Sequence, residues 1–256
     1  MASVLREGIH AGRMGAGVYR GNGRRKPGGT VLSFSVVPAD KKLCEQFVIK
    51  KHYSHRAPIF WAGFALIENG KVEGVCIYGQ PSPPIQKYAF KDRDFRLYEL
   101  TRLVVQTETK NAASFLVGNS LKMLTPRPCA VVSFADSEYG HCGYIYQATN
   151  WLYTGATISH DHAYLVDGKR VHPMTLRDRG ITNPKEWAKE NGIETVKPME
   201  KHRYFYLCGS ARQKKKMLNA LRYQIISVYP KAIPRRYDDG ERIVASLNTQ
   251  DQGELF

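Results

Sequence analysis

Ser133-Phe-Ala-Asp136-Ser-Glu-Tyr-Gly140-His-Cys-Gly143-Tyr-Ile-Tyr146-Gln147-Ala-Thr-Asn150-Trp-Leu-Tyr153 is the stretch whose reading decides the fold. Ala130 to Phe134 is a short apolar run suited to a strand buried on both faces. Past Gly140, His141 to Tyr153 spaces Ile145, Ala148 and Leu152 along one helical face. A strand that leads into a helix in this way is a unit of a parallel sheet, which needs helical crossovers. An acid at the carboxyl end of a central strand faces the crevice where open α/β sheets bind ligands. Asp136 is therefore the first candidate for chemistry, with helix capping as its bland alternative.

The pattern continues in both directions. Upstream, Val31 to Val37 reads as a strand and Asp40 to Lys51 as a helix carrying Leu43, Phe47 and Val48. Phe64 to Ile67 and Val72 to Tyr78 flank Asn69-Gly70, a pair that suits a tight hairpin. Leu97 to Val105 is a strand and Ala112 to Leu124 a helix. Downstream, Thr157 to Val166 is a strand, followed by an insertion over residues 168–200. In it Asn183, Pro184 and Glu186 open a short helix that Gly192 closes. Arg203 to Cys208 and Ala211 to Ile226 complete the series as strand and helix. The order predicts an α/β fold, a mixed central sheet with helices on both faces. Acyltransferases of the GNAT superfamily share it.

This catalytic domain spans residues 31–237. Before it, residues 1–30 mix Arg6, Arg13, Arg20, Arg24, Arg25 and Lys26 with glycines, a composition that predicts a flexible basic arm. Residues 238–256 read as a polar tail. The formal charge of +15 makes nucleic acid the leading partner. No apolar run approaches the roughly 20 residues of a membrane span. The N-terminus lacks a signal-peptide core, so a cytoplasmic location is expected. Five scattered cysteines without a CxxC pair support neither a disulfide framework nor a zinc ribbon.

Three further groups could carry chemistry. Tyr139, Tyr144, Tyr146 and Tyr153 cluster with Asp136, and Tyr146 is the favoured one for stacking on a base. His52-Tyr53-Ser54-His55-Arg56 leaves a helix for a loop, where His52 could act as an acid/base group. His52 and His55, with His160 and His162, could also supply ligands for a metal. Arg102, on the strand Leu97 to Val105, offers a planar fork to a phosphate or carboxylate, or an ion-pair partner to Glu99 or Asp136. The turn Glu108 to Ser114 lacks the glycines of a pyrophosphate loop, so coenzyme A is not favoured. Arg56, Tyr139, Asn150, Lys214 and Lys215 complete the candidates for substrate and phosphate contacts.

His52-Tyr53-Ser54, Glu99-Leu-Thr-Arg102-Leu, the Asn111 to Ser120 helix and Ser133 to Asn150 together resemble the Mom DNA-modification proteins of phages. The most specific portion is Phe134-Ala-Asp136 with Gly140-His141 and Tyr146-Gln147-Ala-Thr-Asn150. The resemblance implies a GNAT-like fold and conversion of adenine in double-stranded DNA to its carbamoylmethyl derivative, which shields phage DNA from restriction. It implies a site made of His52, Tyr53, Arg102, Asp136, Tyr146 and a helical serine, either Ser114 or Ser120. It also brings a link to iron. Because the carbamoylmethyl group is isomeric with a glycyl residue, a charged glycyl-tRNA is a conceivable donor. The rival readings are a coenzyme A-dependent amine acetyltransferase and a non-catalytic basic DNA-binding protein.

The arm yields a test. Each phosphate neutralised adds about −0.9 to the slope of log affinity against log salt. Deleting residues 1–28 is expected to leave a folded domain and to make that slope shallower by roughly one to three on one duplex. Parallel lines for the two proteins would reduce the arm's arginines to solvated charge.

Overall fold

A computed structural model describes residues 19–21, 34–52, 54–158, 162–197, 200–231 and 243. Its elements are β1 (Tyr19–Gly21), β2 (Phe34–Pro38), α1 (Lys41–Lys51), β3 (Ala62–Glu68), β4 (Lys71–Gly79), α2 (Pro83–Tyr88), β5 (Arg96–Val105) and α3 (Ala112–Met123). There follow β6 (Cys129–Asp136), α4 (Tyr144–Ala148), β7 (Leu152–Ile158), β8 (Ala163–Val166), β9 (Lys169–Val171), α5 (Pro173–Asp178), α6 (Pro184–Glu190), β10 (Thr195–Val196), β11 (Glu200–Cys208) and α7 (Ala211–Ala220). The main sheet runs β1-β2-β3-β4-β5-β6-β11-β7, and a small one runs β10-β8-β9. The mixed sheet with helices on both faces is thus observed.

Local chemistry accounts for the elements. Asp40 caps α1 by accepting from the Leu43 amide at 2.7 Å. Asn69 and Gly70 both take positive φ, 51° and 77°, as the turn between β3 and β4 requires. Ser210 and Gln213 form a reciprocal capping box at the start of α7. Asn183 caps α6 as the sequence predicts.

Other boundaries differ from the sequence reading. The helix expected over His141 to Tyr153 is only α4, because Asn150 at φ 60° ends it and Trp151, fully buried, anchors the start of β7. Tyr153 therefore lies on a strand and shares no helical face with Tyr146. The strand expected over Thr157 to Val166 is divided between two sheets as β7 and β8. The insertion adds β9 and β10 to β8 in the small sheet, and α5 and α6 pack with them around Tyr164, Leu176 and Ala188. The last helix stops at Ala220, where Leu221 turns extended and bridges to Phe90. Within the predicted arm, Tyr19–Gly21 pairs antiparallel with β2, so that portion has regular structure.

Strand alternation divides the core. Phe64, Leu66, Tyr78, Leu100 and Val131 pack with Leu116, Val117 and Leu121 of α3 on one face. On the other, Ala65, Val75 and Ile77 meet Phe47 and Val48 of α1, while Leu97, Val132 and Phe205 meet Ile85 of α2 and Met217 of α7. Every pairing in the main sheet is antiparallel except that of β5 with β6, which is parallel. That pairing runs from Arg96 opposite Cys129 to Glu99 opposite Val132 and stops. Beyond it β5 continues against β4 as far as Val105, and β6 against β11 as far as Asp136. A gap opens between the two strands at their carboxyl ends.

Ser120, one of the two serine candidates, belongs to this core. It is fully buried, its hydroxyl lies 2.6 Å from that of Tyr78, and it donates to the Val117 carbonyl at 2.9 Å. Ser120→Ala removes the hydroxyl partner of the buried Tyr78, at an expected loss of about 1–3 kcal/mol. Urea unfolding should show a lower midpoint at unchanged m value. An unchanged midpoint would refute this structural role.

Candidate active site in the gap between two parallel strands

At the point of parting, the Ser133 hydroxyl lies 2.8 Å from both the Leu100 carbonyl and the Tyr146 hydroxyl. Ser133 has one hydrogen, and a carbonyl can only accept, so Ser133 donates to Leu100 and Tyr146 donates to Ser133. This links β5, β6 and α4 where ladder bonds have ceased. Tyr146 is held protonated, its pKa pushed up to about 12 by burial, with the charge of Glu99 adding to the rise.

Above this link lies a cleft of about 500 Å³. One wall is Lys51 and His52 at the end of α1 with Arg102 on β5; the other is Asn111 to Ser114 at the start of α3, Tyr146 and the Gly140 to Gly143 turn. It thus joins His52, Arg102, Ser114 and Tyr146, four of the predicted site residues. It also receives His141, which the sequence reading left outside its candidates, although the turn after a strand-end acid is a natural place for a reactive group.

His52 is buried, and its Nδ1 accepts from the Ser54 amide at 3.1 Å and lies 2.9 Å from the Ser54 hydroxyl. The ring proton is accordingly on Nε2. Burial pushes its pKa down to about 3, with the charges of Arg102, His141 and His55 acting in the same sense. His52 is a neutral hydrogen-bond donor and a poor base at pH 7. Burial also lowers His141, against the opposing pull of the Asp136 carboxylate, so its imidazole is neutral near pH 7.

Asp136 occupies the carboxyl end of β6 as predicted but is not on the cleft wall. Its Oδ2 is 2.9 Å from Lys201 Nζ across β11, and its backbone carbonyl accepts from the His141 amide. His141, in the turn that follows Asp136, lines the cleft, while Asp136 is set behind it. Glu99 is the other carboxyl at the parting; burial raises it to about 7, partly offset by the Ser82 amide, Arg102 and Lys201. No pattern in the sequence reveals this, since it depends on where β5 loses its neighbour.

Arg102 donates to the carbonyls of Thr101 and Arg56, at 2.8 and 3.4 Å. Arg56 itself is turned to Asp178 of α5, 3.0 Å away, and does not line the cleft. Tyr139 stands beside His141, with ring centres 6.3 Å apart. Asn150 is an exposed turn residue outside the cleft, and Lys214 and Lys215 sit on α7 away from it. Tyr53 and His160 fall outside the described residues. Of the proposed metal ligands, His55 Nδ1 lies 2.9 Å from the Ile49 carbonyl and His162 is exposed. Among the described residues no three His, Cys, Asp or Glu side chains converge to hold a metal. Nor, among them, is any helix long and apolar enough to cross a membrane.

A family model for the Mom protein family matches residues 33–231. The chain belongs to the Mom protein family. Membership identifies it, at the coarsest level, as a phage-type DNA-modification protein. The match takes in the whole cleft, from α1 to the residues that follow α7. Among curated proteins none matches the Mom sequence. Among solved structures, an N-acetyltransferase from Staphylococcus aureus Mu50 is similar at 12% identity and a TM-score of 0.39, over 69% of this chain and 99% of that one. The fold rests on the chain's own strand order.

The buried neutral His52 makes stability depend on pH. The unfolded ring takes a proton below about 6.5, whereas the folded one resists until about 3. The unfolded state binds more protons in that interval, so stability is full above about 6.5 and falls as pH drops towards 3. His141 acts in the same direction. Chemical denaturation across this window should show a shallower fall for His52→Gln than for the parent protein. Identical slopes would mean that this ring is not buried neutral.

Proposed function

We propose that this protein transfers a carbamoylmethyl group to the exocyclic amine of adenine in double-stranded DNA. The observation that carries the reading is the cleft itself, which sets a neutral histidine backed by a carboxylate beside a second, proton-donating histidine and an arginine. Its volume of about 500 Å³ suits a flipped base and the reactive end of a donor. In duplex DNA the target amine is paired and stacked, so the base must leave the helix, at a few kcal/mol regained by contacts to its exposed edge.

In this reading His141 accepts the proton that the amine loses as it attacks, and Asp136 stabilises the resulting imidazolium. His52 donates from Nε2 to the oxygen on which negative charge develops. Arg102 and the amino end of α3 hold an anionic part of the donor or the DNA backbone. Tyr146, with its proton committed to Ser133, supplies a fixed ring edge. Ser114 lines the cleft while donating to the Asn111 carbonyl at 3.0 Å, which favours it over the core residue Ser120 as the helical site serine. Among the described residues no three His, Cys, Asp or Glu side chains converge, and no step here uses a metal.

The carbamoylmethyl group has the atoms of a glycyl residue. In this reading the adenine amine attacks the ester carbonyl of an activated glycine, the ester bond breaks and the carrier leaves as its free hydroxyl. The glycyl amide then isomerises, its N–carbonyl bond giving way to an N–Cα bond as the amino nitrogen passes to the carbonyl. Glycyl-tRNA is the donor to test first, with labelled glycine and DNA as acceptor; unlabelled DNA would eliminate it. The reaction itself is tested by nucleoside mass spectrometry of DNA from bacteria expressing the protein. A modified deoxyadenosine is expected with the parent chain, reduced at least a hundredfold with His141→Asn at unchanged DNA affinity. Unmodified nucleosides under soluble expression would overturn the reading.

A further inference from the structure

Three arginines that the catalytic cleft leaves unused gather at the other end of the sheet. There a second hollow, about 490 Å³, is lined by Trp61, Arg93, Asp94, Phe95, Arg96 and Arg127, among others. It lies beside the first residues of β5 and β6, whereas the cleft lies beyond their parting. From Leu97 to Leu103 the distance along β5 is about 20 Å at the usual rise per residue.

Three guanidinium groups border one hollow with little to neutralise them. Burial and the charge of Arg96 both destabilise the cationic form of Arg93, a sign that the two are crowded together. The one acid on the wall, Asp94, is bound by Lys216 of α7 at 2.5 Å. Among the described residues no carboxylate forms an ion pair with Arg93, Arg96 or Arg127. Arg96 is spread over the Trp61 ring, 5.0 Å from its centre, which fixes a planar fork at the edge of the hollow. Lys214 extends the positive region: it and Arg127 both act on the buried Cys208 thiol at this end of β6 and β11. Like charges held together in a hollow cost free energy that a bound polyanion recovers.

We infer that this hollow is a second DNA contact, where Arg93, Arg96 and Arg127 grip the phosphate backbone of duplex DNA flanking the base held in the cleft. The inference rests on the reading of the cleft as a DNA-modifying site. A duplex advances about 3.4 Å per base pair, so backbone about six base pairs from the target reaches the second contact. Arg127 also donates to the Leu121 and Leu124 carbonyls at the end of α3, so Arg93 and Arg96 are the residues to change.

The experiment is a salt titration of affinity by fluorescence anisotropy, comparing full-length parent protein with the double variant Arg93→Gln, Arg96→Gln. On a 30-base-pair duplex with a central target, loss of two phosphate contacts should make the log–log slope shallower by about 1.8. On an 8-base-pair duplex, which extends only about 14 Å to either side, the two proteins should bind alike. Arg93→Lys with Arg96→Lys, which keeps the charge, should restore most of the slope. Parallel lines on the long duplex, or an equal loss on both lengths, would overturn the proposal. So would a loss seen on a folded RNA but not on duplex DNA. Should the parent protein leave adenine unmodified while the length-dependent loss persists, the catalytic reading fails and the backbone contact stands.

Discussion

The parting of β5 from β6 is the constraint on which the rest of the molecule depends. A parallel pair cannot simply end inside a sheet, because each strand would leave amides and carbonyls without partners in a buried place. Here the two strands keep their outer neighbours, β4 and β11, to the end, and the Ser133 hydroxyl takes over at the inner side by donating to Leu100. Tyr146 seals the vertex from above by donating to Ser133. The opening this creates accepts the end of α1 from one face and the starts of α3 and α4 from the other. Residues widely separated in sequence, His52, Arg102, Ser114, His141 and Tyr146, meet because two strands diverge.

The electrostatics of the cleft follow from the same geometry. Burial lowers both of its histidines, with the charge of Arg102 adding to the effect on His52 and Asp136 opposing it at His141. The carboxylates are nearby but set back. Asp136 acts on His141 from behind, paired with Lys201, and Glu99 sits under the vertex with its affinity for a proton raised towards neutrality. Arg102 and Lys51 bring positive charge to the same cleft.

Much of the fold was legible because apolar periodicity, caps and the Asn69-Gly70 turn are local signals. The strand ending at Asp136, the hairpin and the helix capped by Asn183 all stand where those signals put them. The errors arose where tertiary burial overrides periodicity. Trp151 is drawn into the core and cuts short a helix that Ile145, Ala148 and Leu152 seemed to promise, and β7 and β8 divide an apparently continuous strand. For the site, the sequence indicated four of the cleft residues but could not rank the serines or tell Asp136 from His141. Both decisions depend on which way a side chain turns at the end of a strand. No local pattern specifies that.

The proposed function places the target adenine in the cleft beside His141 and Tyr146, with Arg102 on the anionic group next to it. Photocrosslinking tests it most directly, using a duplex with 2-azidoadenine at the target position and mapping the attached peptide by mass spectrometry. The account predicts attachment within residues 100–105 or 140–148. Attachment to the Arg93 to Arg96 segment in place of these would contradict it.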